Sequence, residues 1–317
     1  MNQHHSSETA AAPGNEVGAL ELKQAISAFA RAASTEISTL DESQLPQIAA
    51  LLPAGMVVYV AHTPKSSLQD VVRVAAKVQA LGLRASPHLV ARRMPSEQAF
   101  KDSLRSLREH GIEQVLLVAG DLDPPLGPYA STLQLLETGE LHCAGLQSIG
   151  VAGHPDGHPA VGTEELRAAL QEKQRFAHRS GIAVHIVTQF SFDIERLIAW
   201  DHAMTAAGIS LPVHVGIAGP TPIAKLIKFA MHCGVGVAAR SLTKGSNAVA
   251  QLVRPPVGTD EMLLGLVRAR AADPRLRVRA PHVYSFGGVL ATAAWLRAVM
   301  DERFELRADQ TKFTVVP

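Results

Sequence analysis

The feature that most restricts what this chain can fold into is a repeated exchange of short apolar runs for longer segments with helical spacing. The runs are Ala32–Ser38, Gly55–His62, Arg84–Leu89, Val115–Val118, Ser148–Gly153, Ala183–Gln189, Pro212–Ile217, a short and only possible Val235–Ala238, and Pro281–Phe286, nine candidates for about eight strands. Between them the spacing predicts helices over Glu21–Ala33, Ser66–Leu81, Glu97–His110, Ser131–Thr138, Thr163–His178, Ile194–Ala207 and Pro222–Cys233. Ser67 and Asp70 mark the start of the second helix and Gly82 its end. Pro87 weakens the third run, because proline has no N–H to give a ladder.

Regular β–α alternation with right-handed crossovers builds a parallel sheet, either doubly wound or closed into an eightfold barrel. A dinucleotide-binding doubly wound sheet needs G-x-G-x-x-G after an early strand, and the chain has none. The expected fold is therefore a single α/β domain, a (β/α)8 TIM barrel over residues 18–317, a length that suits one such barrel. Residues 1–17 read as a disordered tail, since they mix His, Ser, Ala and Gly without the apolar stretch of a signal peptide.

Charge and cysteine usage exclude several classes. A net charge of +1 leaves no electrostatic footprint for nucleic acid. Cys143 and Cys233 stand alone, without the spacing of a disulfide framework or a zinc site, so a reducing compartment and no metal are expected. No apolar run approaches the roughly eighteen residues of a membrane span. The expectation is a cytoplasmic protein with neither membrane nor nucleic-acid partners.

A barrel places its functional groups at the C-terminal ends of its strands. Leu116-Leu117-Val118-Ala119-Gly120-Asp121 is the sharpest case, an apolar strand ending in a glycine that permits close approach or a positive φ, and then in a carboxylate. The other ends carry Glu36, His62, His88, His154, Gln189 and Tyr284. Glu36, partly desolvated there, would have a raised pKa and serve as a general acid; the plain alternative is a solvated acid. His154-Pro155-Asp156-Gly157-His158-Pro159 has two histidines four apart, but its prolines and glycine preclude a metal-binding helix, which leaves a loop packed around a flat ligand. Gln189 ends its strand with an amide able to read a heteroaromatic edge, or else it caps the next helix while Phe190 and Phe192 fill the core. Tyr284 either stacks on a ring or fills the barrel bottom.

Taken together, several of these segments resemble the methylenetetrahydrofolate reductase family, over about Ser34 to Phe286. Gly120-Asp121-Leu122 is similar to its R-G-D-L loop, Tyr129-Ala130-Ser131 to Y-A-[ST], and Val151 to Pro159 to V-A-G-Y-P-x-G-H-P. Ile186 to Asp193 resembles I-T-Q-x-F-F-D, while Ser34-Thr35-Glu36, Pro87-His88-Leu89 and His282-Val283-Tyr284 match more weakly S-x-E, P-H-L and H-F-Y. The resemblance implies a flavin-binding barrel that reduces 5,10-methylenetetrahydrofolate to 5-methyltetrahydrofolate with NAD(P)H, or runs the reverse. It implies Glu36 as general acid, Asp121 as the carboxylate facing flavin and pterin, and Gln189 with Tyr284 at the substrate. It assigns FAD contacts to His88, Ala119, Gly120, Asp121, Tyr129, Ala130, Ala152, His154 and His158.

The departures fall on the cofactor. Ala119 replaces the family's Arg, Ala61-His62-Thr63 its Thr-Tyr-Gly, and Gly287-Gly288 its Asn-Arg; the helix that offers Asp and Lys to the cofactor reads Glu164 to Lys173 in an unfixed register. FAD is therefore expected to bind weakly or to be absent, and direct hydride transfer from the nicotinamide stays open beside the flavin route. So do a folate-linked methyltransferase and a folate-binding protein on the same barrel. A tetrahydrofolate one-carbon compound is the expected partner, and a homo-oligomer is compatible with the chain.

Overall fold

The structure, a computed structural model, describes residues 14–222, 226 and 258–316. Eight parallel strands close in sequence order into a barrel: β1 (Ser34–Ser38), β2 (Val57–Ala61), β3 (Arg84–Val90), β4 (Gln114–Val118), β5 (Ser148–Gly153), β6 (Ala183–Thr188), β7 (Val213–Ala218) and β8 (Val278–Tyr284). The helices around it are α1 (Gly14–Arg31), α2 (Leu45–Leu51), α3 (Leu68–Ala80), α4 (Glu97–Glu109), α5 (Thr132–Glu137), α6 (Glu140–Cys143), α7 (Thr163–Ser180), α8 (Ile194–Ala206), α9 (Thr259–Ala272) and α10 (Val289–Met300). An antiparallel pair, β9 (Phe304–Leu306) and β10 (Phe313–Val315), follows. Among the described residues no helix is long and apolar enough to cross a membrane.

The local signals act as expected where they are strong. At α3, Ser67 Oγ accepts the Asp70 N–H at 3.1 Å and the Asp70 carboxylate accepts the Ser67 N–H at 3.1 Å, a reciprocal cap that satisfies two otherwise unpaired donors. Pro87 pairs with Val60 on the last rung of the β2–β3 ladder, so β3 runs on to Val90 by pairing with β4. Two expectations shift. Helix α1 begins at Gly14, inside the segment read as a tail, and residues 1–13 lie outside the described residues. The barrel closes through β8 without Val235–Ala238, which lies outside the described residues, as does most of Pro222–Cys233.

Strand alternation splits the barrel into two chemically distinct surfaces. Outward residues such as Val58, Val60, Leu117, Ile149, Val151 and Val215 are fully buried against the helices. Each contributes about 1.5–3 kcal/mol by leaving water. The inward set is largely polar: Ser34, Ser86, Gln114, His185 and His282 are all buried. The ring is joined between first and last strands by only two rungs, Ser34 opposite His282 and Thr35 opposite Val283. Side chains reinforce that join, because Thr35 Oγ1 donates to the Val283 carbonyl at 2.9 Å and Ser285 Oγ to the Glu36 carbonyl at 2.8 Å.

Candidate active site

Glu36 lies on β1 beside this join, with its side chain 21% exposed. Nε2 of His88 lies 3.3 Å from its Oε2, and Nε2 of His282 lies 3.9 Å from the same oxygen. Neither nitrogen makes a hydrogen bond among the described residues. Burial alone would raise the Glu36 carboxyl, but the two imidazoles outweigh it and bring the group down to about 2. The raised pKa expected from desolvation is thus reversed by neighbours that strand spacing did not reveal. His282 is held in place by Ser34 Oγ, 2.8 Å from its Nδ1, and by the rings of Tyr59 and Tyr284 packed edge-on at 4.7 and 4.6 Å.

Beneath this cluster runs a polar network that motif reading missed. Tyr59 Oη lies 2.9 Å from His185 Nε2 and accepts from Gln114 Nε2 at 3.1 Å, while Ser148 Oγ lies 3.1 Å from His185 Nδ1. His214 stacks on His185 with ring centroids 4.3 Å apart. Burial, and the neighbouring imidazoles after it, pushes His185 down to about 3 and His214 to about 4, so both are neutral near pH 7. The signal was available: His185 stands between Val184 and Ile186 in a strand, which puts it on the face opposite those two apolar residues.

After β4, Gly120 has φ +87°, and a Cβ there would collide with Cγ1 of Val90. Both reasons for a glycine therefore apply at once. Asp121 follows it, largely exposed, with Arg93 Nη2 3.0 Å from its Oδ1. The adjacent Arg92 ties this loop together, donating from Nε to the Ala130 carbonyl at 3.0 Å and from Nη1 to the Leu122 carbonyl at 3.2 Å. Ala119 contributes backbone to the same brace, its carbonyl accepting the Arg92 N–H at 2.9 Å. Tyr129 turns away: its ring is buried in the core, edge-on to Phe100 of α4 at 5.9 Å.

Past β5, His154 to Gly157 form a turn, with the Gly157 N–H on the His154 carbonyl at 3.0 Å, and His158 is exposed with its ring 5.2 Å from that of His154. No cluster of metal-ligating side chains occurs among the described residues. Ala152, His154, Thr163, Lys173 and Trp200 border a cavity of about 110 Å³. Lys173, on α7, is only 8% exposed and makes no hydrogen bond or ion pair among the described residues. Burial lowers its ammonium to about 8, and a cation desolvated without a counter-charge beside a cavity fits an anionic group such as a phosphate. Burial, with His158 and Lys173 after it, keeps His154 at about 4.

Gln189 follows β6, its Oε1 accepting the Phe190 N–H at 3.2 Å. It does not cap α8, because Asp193 does so by accepting the Arg196 N–H at 3.0 Å. Phe190 is buried and meets Phe192, Tyr284 and Phe286 in one aromatic cluster, so part of the core reading of this segment is correct. Tyr284 ends β8 at the mouth and donates from Oη to the Thr188 carbonyl at 3.0 Å. Gly216 makes this approach feasible, since a Cβ there would meet the Thr188 carbonyl and the Tyr284 ring.

Glu36, His88 and Tyr284 thus stand on strands at the mouth, Gly120–Asp121, Ala130 and the His154 turn follow neighbouring strand ends, and the Tyr129 ring packs into the core. Residues 43–248 match the family model described as Methylenetetrahydrofolate reductase. Methylenetetrahydrofolate reductase 2 of Saccharomyces cerevisiae is 26% identical over 166 residues, 50% of this chain and 27% of that protein. The 5,10-methylenetetrahydrofolate reductase of Pectobacterium carotovorum is 29% identical over 162 residues, 49% of this chain and 50% of that protein. That of Escherichia coli is 30% identical over 158 residues, 47% and 48% of the two chains. The chain spans about half the length of these bacterial relatives and about a quarter of the yeast one. With the family model spanning more than half of its residues, the chain belongs to the methylenetetrahydrofolate reductase family.

Proposed function

We propose that the chain interconverts 5,10-methylenetetrahydrofolate and 5-methyltetrahydrofolate with NAD(P)H as the redox partner. The observation that carries the reading is Glu36, a carboxylate at the barrel mouth faced by two imidazoles, in a chain of this family. Protonation of N10 by Glu36 opens the five-membered ring to an iminium at N5. Asp121 lends negative charge to that cation, and Gln189 reads the pterin edge with an amide that donates and accepts. The aromatic cluster around Tyr284 offers a face for a flat ring.

The chemistry that FAD would supply here, when bound, is hydride transfer. The buried Lys173 and the half-buried His154, with Ala152 at the same cavity, would hold its anionic portion, and Gly120 and Ala130 would offer backbone groups. His88 and His158 complete the set of side chains proposed to meet it. A second reading, hydride transfer directly from the nicotinamide, is favoured by the Tyr129 ring packing into the core and by Ala119 having no polar side chain.

The test is anaerobic turnover of purified protein in both directions, with and without added FAD. Glu36→Gln should lose about 10²–10⁴ in the folate step, the contribution typical of a general acid. Absence of turnover in either direction under both conditions overturns the reading.

A further inference from the structure

Glu36 enters the reaction as an acid, yet the resting carboxyl is ionised far below neutral pH. Its proton must be supplied in each turnover, and a basic neighbour can hold one ready. The groups around it narrow the choice. Tyr59 from β2 is a buried phenol that burial raises well above its ordinary value, and His62, near His88 and Arg93, is pushed down to about 4 by burial first and by Arg93 after it. His185 and His214, facing His282 from β6 and β7, are neutral, and Arg93 is already paired with Asp121. Burial lowers His282 as well, against the opposing pull of Glu36, and His282 is entirely shut off from water with Nδ1 committed to Ser34. His88 alone combines contact with the carboxylate at 3.3 Å and a side chain that still reaches solvent, 13% exposed.

We propose that His88 is the proton store that recharges Glu36, with His282 as the positioning residue that fixes the accepting oxygen, Oε2, between them. This rests on the proposed folate chemistry. The N–H bond at His88 Nε2 breaks as the O–H bond at Glu36 Oε2 forms. That O–H then breaks as the N–H at folate N10 forms, and His88 regains its proton from water.

Two measurements on the full chain test it. In His88→Asn the folate step should lose about tenfold more at pH 7.5 than at pH 5, because a carboxyl without the imidazole beside it holds a proton only in more acid solution. An equal loss at both pH values, or none, overturns the relay. The second measurement uses no folate and so separates failure of the relay from failure of the proposed activity. By ¹³C NMR the Glu36 side-chain carboxyl should titrate near 2 in the parent protein and about one unit or more higher in both His88→Asn and His88→Gln. A carboxyl that titrates unchanged in two folded variants overturns the coupling.

Discussion

The two surfaces of the same eight strands differ more than any two elements of the molecule. Outward, the barrel presents Val, Leu and Ile to the helices in one continuous apolar layer. Inward, it carries His88, His185, His214 and His282 with Tyr59, Gln114 and serines, where a barrel of this kind ordinarily packs branched aliphatics. The difference teaches that cohesion here resides in the outer layer, which frees the interior for a connected set of buried polar groups. A buried polar interior is tolerated only if its members are paired, and most of these are.

The comparison can be broken at several points. The largest effect is expected inside, on rate without stability: Glu36→Gln costs about 10²–10⁴ in folate turnover, while its thermal midpoint stays close to that of the parent. Outside, the reverse holds. Leu117→Ala, at a fully buried outward site, should destabilise by about 2–5 kcal/mol in urea titrations and leave the Glu36 carboxyl titration where it was. If that carboxyl shifts, the two surfaces are not independent.

Lys173→Met removes the buried cation beside the cavity and should weaken FAD about tenfold to a hundredfold by fluorescence titration, the equivalent of about 1.5–3 kcal/mol. The pH dependence has a definite sign, because the ammonium of the free protein loses its proton near pH 8; affinity for the anionic cofactor should be flat below that value and fall above it. Affinity unchanged by Lys173→Met would remove the lysine from the cofactor site. The smallest effect is expected for Tyr59→Phe, which takes the hydroxyl from between His185 and Gln114 and should cost about 1–3 kcal/mol of stability. A neutral result would mean that water replaces the hydroxyl and that the network is looser than its distances imply.

The barrel was legible in the sequence because strand runs and helical spacing repeat, and because Gly120 and Ser67 signal backbone states that few other residues serve as well. Glu36 was legible as a strand-end carboxylate, but its electrostatics were not: they depend on His88 and His282, which are 52 and 246 residues away in sequence and meet it only when β3 and β8 take their places. Lys173 illustrates a signal only half read, since the helix from Glu164 to Lys173 was set against the cofactor with its register left open. It shares a helix face with Leu170 and Phe176, three residues to either side, and a lysine on an apolar face is informative in itself. Tyr129 shows the opposite, since a motif fixes a residue's place in the chain but not the direction of its side chain.

The two rungs that join β1 to β8 include Ser34 and His282, which also position the acid. First and last strands must therefore meet before His282 can stand beside Glu36. A chain stalled with its ring open would keep His88 of β3 near Glu36 but lack His282 of β8, so the part of the carboxyl's shift that depends on His282 would report, during refolding, circularisation of the sheet itself.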